Sequence, residues 1–208
     1  MLAEDVVTGL RYVKEKEEKL RTDGTAAEIT LVGHSSGGGL AQLVLSKQLT
    51  RVRALILVGA IPCFGSAEVA EFESLMPEYE SLNWPIGMLR PFINVRRVLA
   101  GISGWDSGER IMVVAGGLDR ICSVPLMRRM AQQYRTAVGD LVKEKKIDET
   151  EGAVGDAEEA PVEKCTESRG AGVRFTIVEG AGHHVQNDLQ RDDGARRILD
   201  FVKQLDGE

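Results

Sequence analysis

The chain has 208 residues, a net charge of −6, and 43% hydrophobic and 28% charged residues. These values are typical of one globular domain with a sizeable core, and the negative charge argues against nucleic acid or an anionic membrane as a partner. No run of about 18 apolar residues is present and the N-terminus lacks a signal-peptide pattern, so we expect no membrane span and a cytoplasmic location. The three cysteines, at positions 63, 122 and 165, are odd in number and widely spaced, which predicts neither a disulfide framework nor a zinc site.

Helical and strand-like segments alternate along the chain. Helices are predicted at residues 2–20, 40–47 and 125–135 and near the C-terminus, where Ile198, Phe201, Val202 and Leu205 share one face. Short, mostly apolar segments at residues 29–32, 54–58, 111–114 and 173–178 are predicted to be buried parallel strands. This alternation predicts an α/β fold in which one mostly parallel sheet is flanked by helices, within a single domain over residues 1–208.

Two segments depart from this alternation. Residues 64–104 hold five of the chain's ten Phe, Tyr and Trp residues, which fits either a small helical lid over a site or additional core packing. Residues 137–171 include a run, Asp148 to Glu167, with eight acidic residues, one basic residue and no aromatic residue. Such a run buries too little apolar surface to offset the entropy of ordering it, so we predict a disordered acidic insertion over 137–171.

A G-x-S-x-G pattern, Gly33-His34-Ser35-Ser36-Gly37, lies between a predicted strand and a predicted helix. In this context the pattern predicts a tight turn that exposes the Ser35 hydroxyl, with glycines where side chains would collide. The backbone N–H of Ser36, at the start of the helix, is then a candidate oxyanion donor. The alternative is a glycine-rich turn without chemistry. A nucleotide site is not predicted, because neither a P-loop lysine nor G-x-G-x-x-G is present.

A serine nucleophile needs a base, and a histidine base needs an acid to orient it. We expect His34 to point away from its neighbour Ser35. His183 and His184 follow the last predicted strand, at the sheet edge where α/β sites form. Asp119 follows the third predicted strand at the same edge, although a helix or turn cap is the alternative interpretation of that residue. Joint metal binding by the two adjacent histidines is disfavoured, because neighbours in an extended segment project to opposite sides.

These three loops, taken together, resemble those of the α/β-hydrolase superfamily. The stretch L-V-G-H-S-S-G-G resembles its nucleophile elbow, V-V-A-G-G-L-D its acid loop and V-E-G-A-G-H-H its histidine loop, in the same order along the chain. The resemblance implies that Ser35 is the nucleophile, Asp119 the acid and His183, rather than His184, the base. It also implies an oxyanion donor at Ser36, and no cofactor or metal.

The resemblance further implies N-terminal strands that this sequence lacks, so the predicted fold is a partial α/β-hydrolase fold. A lost strand would pair with the strand at 29–32, and its following loop, often His-Gly, would supply the second oxyanion donor. Three explanations stay open: the chain is a fragment or begins at an internal methionine, its exposed strand edge pairs with another chain, or it is a non-catalytic remnant.

The resemblance implies an esterase-like or lipase-like serine hydrolase that cleaves an ester or related acyl bond. The apolar segment 64–104 favours a small apolar substrate. The alternative is a non-catalytic or truncated binding protein that keeps the fold.

Overall fold

A computed structural model describes residues 2–22, 26–61, 93–149 and 167–207. Within these ranges, five α-helices alternate with the strands: α1 (Leu2–Leu20), α2 (Ser36–Ser46), α3 (Val95–Ala100), α4 (Val124–Glu149) and α5 (Arg191–Asp206). The strands are β1 (Thr30–His34), β2 (Ala54–Val58), β3 (Ile111–Gly116), β4 (Glu167–Gly170) and β5 (Val173–Val178). No helix within the described ranges is both long and apolar enough to cross a membrane.

The strands form one sheet in the order β1-β2-β3-β5-β4. β1, β2, β3 and β5 run parallel, as the sequence predicts, and β4 pairs antiparallel with β5 across a tight turn at Ala171 and Gly172. Because parallel strands end at one edge of a sheet, the turns that follow the four parallel strands lie side by side. These turns contain or lead to the candidate site residues.

Helices cover both faces of the sheet, which explains the continuous apolar runs in β2 and β3 and the mostly apolar composition of β5. Every residue of these three strands is buried. On one face, Leu55 and Leu57 belong to a core cluster that also includes buried residues of α2, α3 and α4. On the other face, Ile56 and Val58 belong to a smaller cluster that includes Phe201 of α5.

Arg174 is a charged residue near the start of β5, and its side chain is only 3% exposed. The guanidinium donates to the Glu109 carboxylate at 2.9 and 2.7 Å, and it also donates to the side-chain oxygen of Gln204 in α5. Removing one partner of such a buried pair leaves an uncompensated charge, so these contacts tie β5 to its neighbours.

The prediction of a disordered insertion over residues 137–171 is wrong at both ends of that range. Helix α4 continues to Glu149, because Ala137, Val138, Leu141 and Val142 recur at helical spacing and pack against the core. At the other end, β4 completes the edge of the sheet beside β5. The remaining residues, 150–166, lie outside the described part of the chain.

The predicted lid, residues 64–104, lies mostly outside the described residues, which resume at 93. Its last part is core rather than lid: Val98, Leu99 and Ile102 are fully buried in and just after α3. The Asn94 side chain caps this helix by accepting a hydrogen bond from the Arg97 N–H at 3.2 Å. For residues 93–104, the alternative interpretation of this segment as additional core packing is therefore confirmed.

Replacing Leu99 by alanine tests that packing. We expect Leu99→Ala to lower the free energy of unfolding by about 2–5 kcal/mol, because it leaves a cavity in the core. The matched control is Leu199→Ala in α5, where the leucine is 51% exposed, and there we expect a change within about 0.5 kcal/mol. Chemical denaturation measures both, and equal effects would contradict the assignment of α3 to the core.

Candidate active site

Ser35 lies between β1 and α2 in a backbone conformation that non-glycine residues rarely adopt, with φ 52° and ψ −123°. Neighbouring backbone groups hold it there. The Ser35 N–H donates to the Val58 carbonyl at 3.1 Å, and the Ser35 carbonyl accepts from the N–H groups of Gly38 and Ile61, both at 3.0 Å. The strained serine that the G-x-S-x-G pattern predicts is present, and the contacts to β2 and its following turn maintain it.

Two glycines allow the backbone of the turn to approach so closely. A Cβ at Gly33 would lie 2.6 Å from the Gly38 Cα, and one at Gly38 would lie 2.3 Å from the Ala60 Cβ. The prediction of a collision at Gly37 is wrong, since a Cβ there would meet nothing within 4 Å. The close contact lies one residue later, at Gly38, where α2 packs against the turn after β2.

His183 connects Ser35 to Asp119 through two hydrogen bonds. Its Nε2 lies 2.9 Å from the Ser35 Oγ, and its Nδ1 lies 2.9 Å from the Asp119 Oδ2. Because a carboxylate can only accept, the neutral imidazole carries its proton on Nδ1, and Nε2 is left to accept the Ser35 hydroxyl proton. The structure thus brings together the three residues that the sequence predicts, from the ends of β1, β3 and β5.

The Asp119 carboxylate divides its two oxygens between two partners. Oδ1 accepts from the backbone N–H groups of Ile121 and Cys122, at 2.8 and 2.9 Å, while Oδ2 contacts His183. The side chain is fully buried. Asp119 therefore caps the turn before α4, and the cap fixes the oxygen that faces His183.

Gly59 is a supporting residue that the sequence analysis missed. It follows β2 with φ 45°, and a Cβ there would lie 3.2 Å from the Asp119 Oδ2 and 3.3 Å from the His183 Nδ1. Gly116 plays a similar part, since its Cβ would lie 2.1 Å from the Gly182 carbonyl oxygen. A glycine at the end of each central strand was the available signal, because a side chain there would project toward the loops that meet at this edge.

His34 also belongs to the site, although the sequence analysis assigned it no part. Its Nε2 lies 3.0 Å from the backbone carbonyl oxygen of His183, and the two ring centroids are 5.0 Å apart. Burial lowers the pKa of His34 below its usual value, while the hydrogen bond to His183 acts in the opposite direction. No signal in the sequence indicates this contact, which joins residues 149 positions apart.

Ser36 is the first residue of α2, directly after Ser35, and it is exposed. This position at a helix N-terminus is the one that the sequence analysis predicts for an oxyanion donor.

Within the described ranges, one cluster has the residue types of a metal site: Asp119, Cys122 and His183, whose ligand atoms lie within 4.8 Å of one another. Burial, and next the charge of Asp119, raises the pKa of the Cys122 thiol well above its usual value. A protonated thiol is a poor ligand, and the Asp119 and His183 atoms already bond to each other. The cluster therefore fits proton transfer better than metal binding.

The ring centroids of His183 and His184 lie 5.2 Å apart, in an edge-to-face arrangement. Of these two histidines, only His183 takes part in the hydrogen bonds to Ser35 and Asp119.

An apolar cavity of about 590 Å³ lies beside β1, on the face of the sheet that carries α5. Val32 of β1, which is 53% exposed, and Leu199 of α5 line it, and His34 lies at its wall. Among the described strands, only β2 pairs with β1, so the outer edge of β1 is unpaired within this part of the chain.

No protein-family model matches the sequence, and neither does any curated protein. Solved structures do match the fold. A siderophore hydrolase, EstB, from Aspergillus fumigatus is 17% identical with a TM-score of 0.50, and the match covers 98% of this chain and 75% of that one. NosK from Streptomyces actuosus is 18% identical with a TM-score of 0.49 over 97% and 76% of the two chains. A monoacylglycerol lipase from Paleococcus ferrophilus is 12% identical with a TM-score of 0.46 over 98% and 76%.

The chain has an α/β-hydrolase fold, in the partial form that the sequence predicts. The parallel sheet, the strained turn after β1 and the order of the three loops agree with that fold.

The backbone strain at Ser35 can be measured through stability. We expect Ser35→Gly to be more stable than Ser35→Ala by about 1 kcal/mol, because glycine adopts a positive φ without a steric cost. The same pair of substitutions at Ser36, a helical position, should give the opposite order. Urea unfolding of the four variants tests this, and an alanine variant at position 35 as stable as the glycine variant would contradict the strain.

Proposed function

We propose that the chain is a serine hydrolase of the esterase or lipase kind, acting on an ester or related acyl bond of a small apolar substrate. One observation carries the proposal: an unbroken chain of two 2.9 Å hydrogen bonds links Ser35, His183 and the buried Asp119. This order of serine, histidine and carboxylate is the one that general-base activation of a serine requires. A chance contact of three polar side chains would not explain the strained turn beneath Ser35.

In this mechanism the Ser35 Oγ attacks the carbonyl carbon of the substrate while His183 Nε2 takes the hydroxyl proton. Asp119 accepts the Nδ1–H and stabilises the resulting imidazolium. The N–H of Ser36 donates to the oxyanion that forms on the former carbonyl oxygen. His183 then gives its proton to the leaving alcohol, and a water molecule, activated by the same imidazole, releases the acyl group from Ser35.

The preference for an apolar substrate rests on the chain's own composition. Five aromatic residues lie within residues 64–104 of the sequence. Apolar side chains lining a cleft favour binding of acyl chains over charged substrates.

The second candidate is a non-catalytic or truncated binding protein, and the unpaired outer edge of β1 within the described residues favours it. Such an edge offers free N–H and C=O groups to a strand of another chain. The sequence also contains no His-Gly loop that would supply a second oxyanion donor. In this case the fold would bind a ligand or partner at the same edge without turnover.

Hydrolysis of p-nitrophenyl esters with short and medium acyl chains separates the two candidates. We expect turnover by the wild type and a loss on the order of 10⁴- to 10⁶-fold for Ser35→Ala, because the nucleophile is removed. Ser103→Ala is the matched control, since Ser103 is exposed and its backbone pairs with Val52, at the opposite end of β2 from Ser35. A Ser35→Ala variant with wild-type turnover would refute the serine mechanism, and a folded, inert wild type would favour the binding protein.

Asp119→Asn tests the part of the acid. The asparagine amide can present a donor to Nδ1 and thereby favour the wrong tautomer of His183, so we expect kcat to fall by about 10³- to 10⁴-fold with little change in KM. The Asn side chain keeps an oxygen for the N–H groups of Ile121 and Cys122, which limits the effect on folding. Steady-state kinetics with circular dichroism as a folding control measure this, and unchanged kcat would contradict the assignment of the acid.

A further inference from the structure

Two adjacent residues of the nucleophile turn contact the same histidine. Ser35 contacts the ring of His183 through Nε2, and His34 contacts the His183 backbone carbonyl at 3.0 Å. The ring and the backbone of His183 are thus both held from the end of β1. This double contact fixes the distance between the serine and the histidine more closely than one hydrogen bond can.

The chemistry of the contact determines the protonation of His34. A carbonyl oxygen only accepts hydrogen bonds, so the His34 Nε2 must carry a proton and donate it. His183 needs the opposite arrangement, with its proton on Nδ1 facing Asp119. The two neighbouring imidazoles are therefore expected to be opposite tautomers when both are neutral.

Two further hydrogen bonds hold the loop that carries His183, and they come from other parts of the fold. The Leu118 N–H donates to the Ala181 carbonyl at 2.8 Å, and the Gly182 N–H donates to the Asp188 carboxylate at 2.8 Å. These bonds hold the loop to the β3 turn and to the segment before α5. His34 supplies the anchor from β1, the strand that carries the nucleophile.

We propose that His34 is a positioning residue, which holds the His183 backbone so that the imidazole stays within reach of the Ser35 hydroxyl. The catalytic consequence rests on the proposed serine hydrolase function, whereas the structural contact does not. A displacement of about 1 Å between reacting groups can lower a rate by about 100-fold, so loss of this anchor should reduce turnover without removing a reacting group.

Burial, and next the neighbouring imidazoles, lower the pKa of His34 and favour a neutral donor, whereas the charge of Asp119 acts in the opposite direction. The ring of His34 lies beside those of His183 and His184, at centroid distances of 5.0 Å each. Arg191 and Asp192 of α5 line the same cavity wall. A positive charge on His34 would disfavour the imidazolium that His183 must become, and the partial burial of His34 works against such a charge.

Three variants test the proposal through kinetics. His34→Phe keeps an aromatic ring but removes the donor, and we expect kcat to fall by about 10- to 100-fold with KM nearly unchanged. His34→Gln places an amide nitrogen near the former Nε2 and should restore most of the loss. His184→Phe is the control, because His184 lies equally close to His34 but is exposed and outside the hydrogen-bonded chain. Wild-type kcat in His34→Phe, or an equal loss in His184→Phe, would overturn the proposal.

Nuclear magnetic resonance provides a readout that needs no activity. Long-range ¹H–¹⁵N spectra of the histidine rings should show the Nε2–H tautomer for His34 and the Nδ1–H tautomer for His183. In His34→Phe the His183 ring signals should shift or broaden, and in His184→Phe they should not change in tautomer. An Nδ1–H tautomer at His34 overturns the proposal, whereas inert wild-type protein with the expected tautomers would refute only the hydrolase function.

Discussion

The parallel pairing of β1, β2, β3 and β5 is the constraint on which the rest of the molecule depends. Because these strands run in one direction, their C-terminal turns meet at one edge of the sheet. Ser35, Asp119 and His183 are far apart in sequence, yet each lies just beyond the end of one of these strands. The helices on both faces stabilise the sheet, and the sheet in turn sets the distances within the site.

Close approach between backbones is the second requirement, and glycine meets it. The acid and histidine loops touch where Gly116 faces the carbonyl of Gly182, and Gly59 leaves room for the bond between Asp119 and His183. The nucleophile turn combines the same device with backbone strain at Ser35, which hydrogen bonds from the neighbouring turn maintain. This strain opposes folding at one residue, and it places the Ser35 hydroxyl within hydrogen-bond distance of His183.

The sequence predicted β2 most accurately, since a continuous apolar run at residues 54–58 marks a strand buried on both faces. Residues 173–178 also match β5, although Arg174 and Thr176 interrupt its apolar residues. The start of α2 was missed because three consecutive glycines, at 37–39, resemble a loop; tertiary contacts override their low helix propensity. The extension of α4 was missed because the acidic composition further along masked four apolar residues at helical spacing. The three site residues were found because each follows a predicted strand, whereas the part played by His34 depends on a contact between distant loops that no local pattern encodes.

The proposed hydrolase function depends most on whether Ser35 is an activated nucleophile in this chain. The most direct measurement is the intact mass of the protein after exposure to a fluorophosphonate, followed by peptide mapping, for wild type and Ser35→Ala. We expect one adduct on the wild type, located at Ser35, and none on the variant. A folded wild type that gains no adduct, or an adduct that persists in Ser35→Ala, would contradict that function.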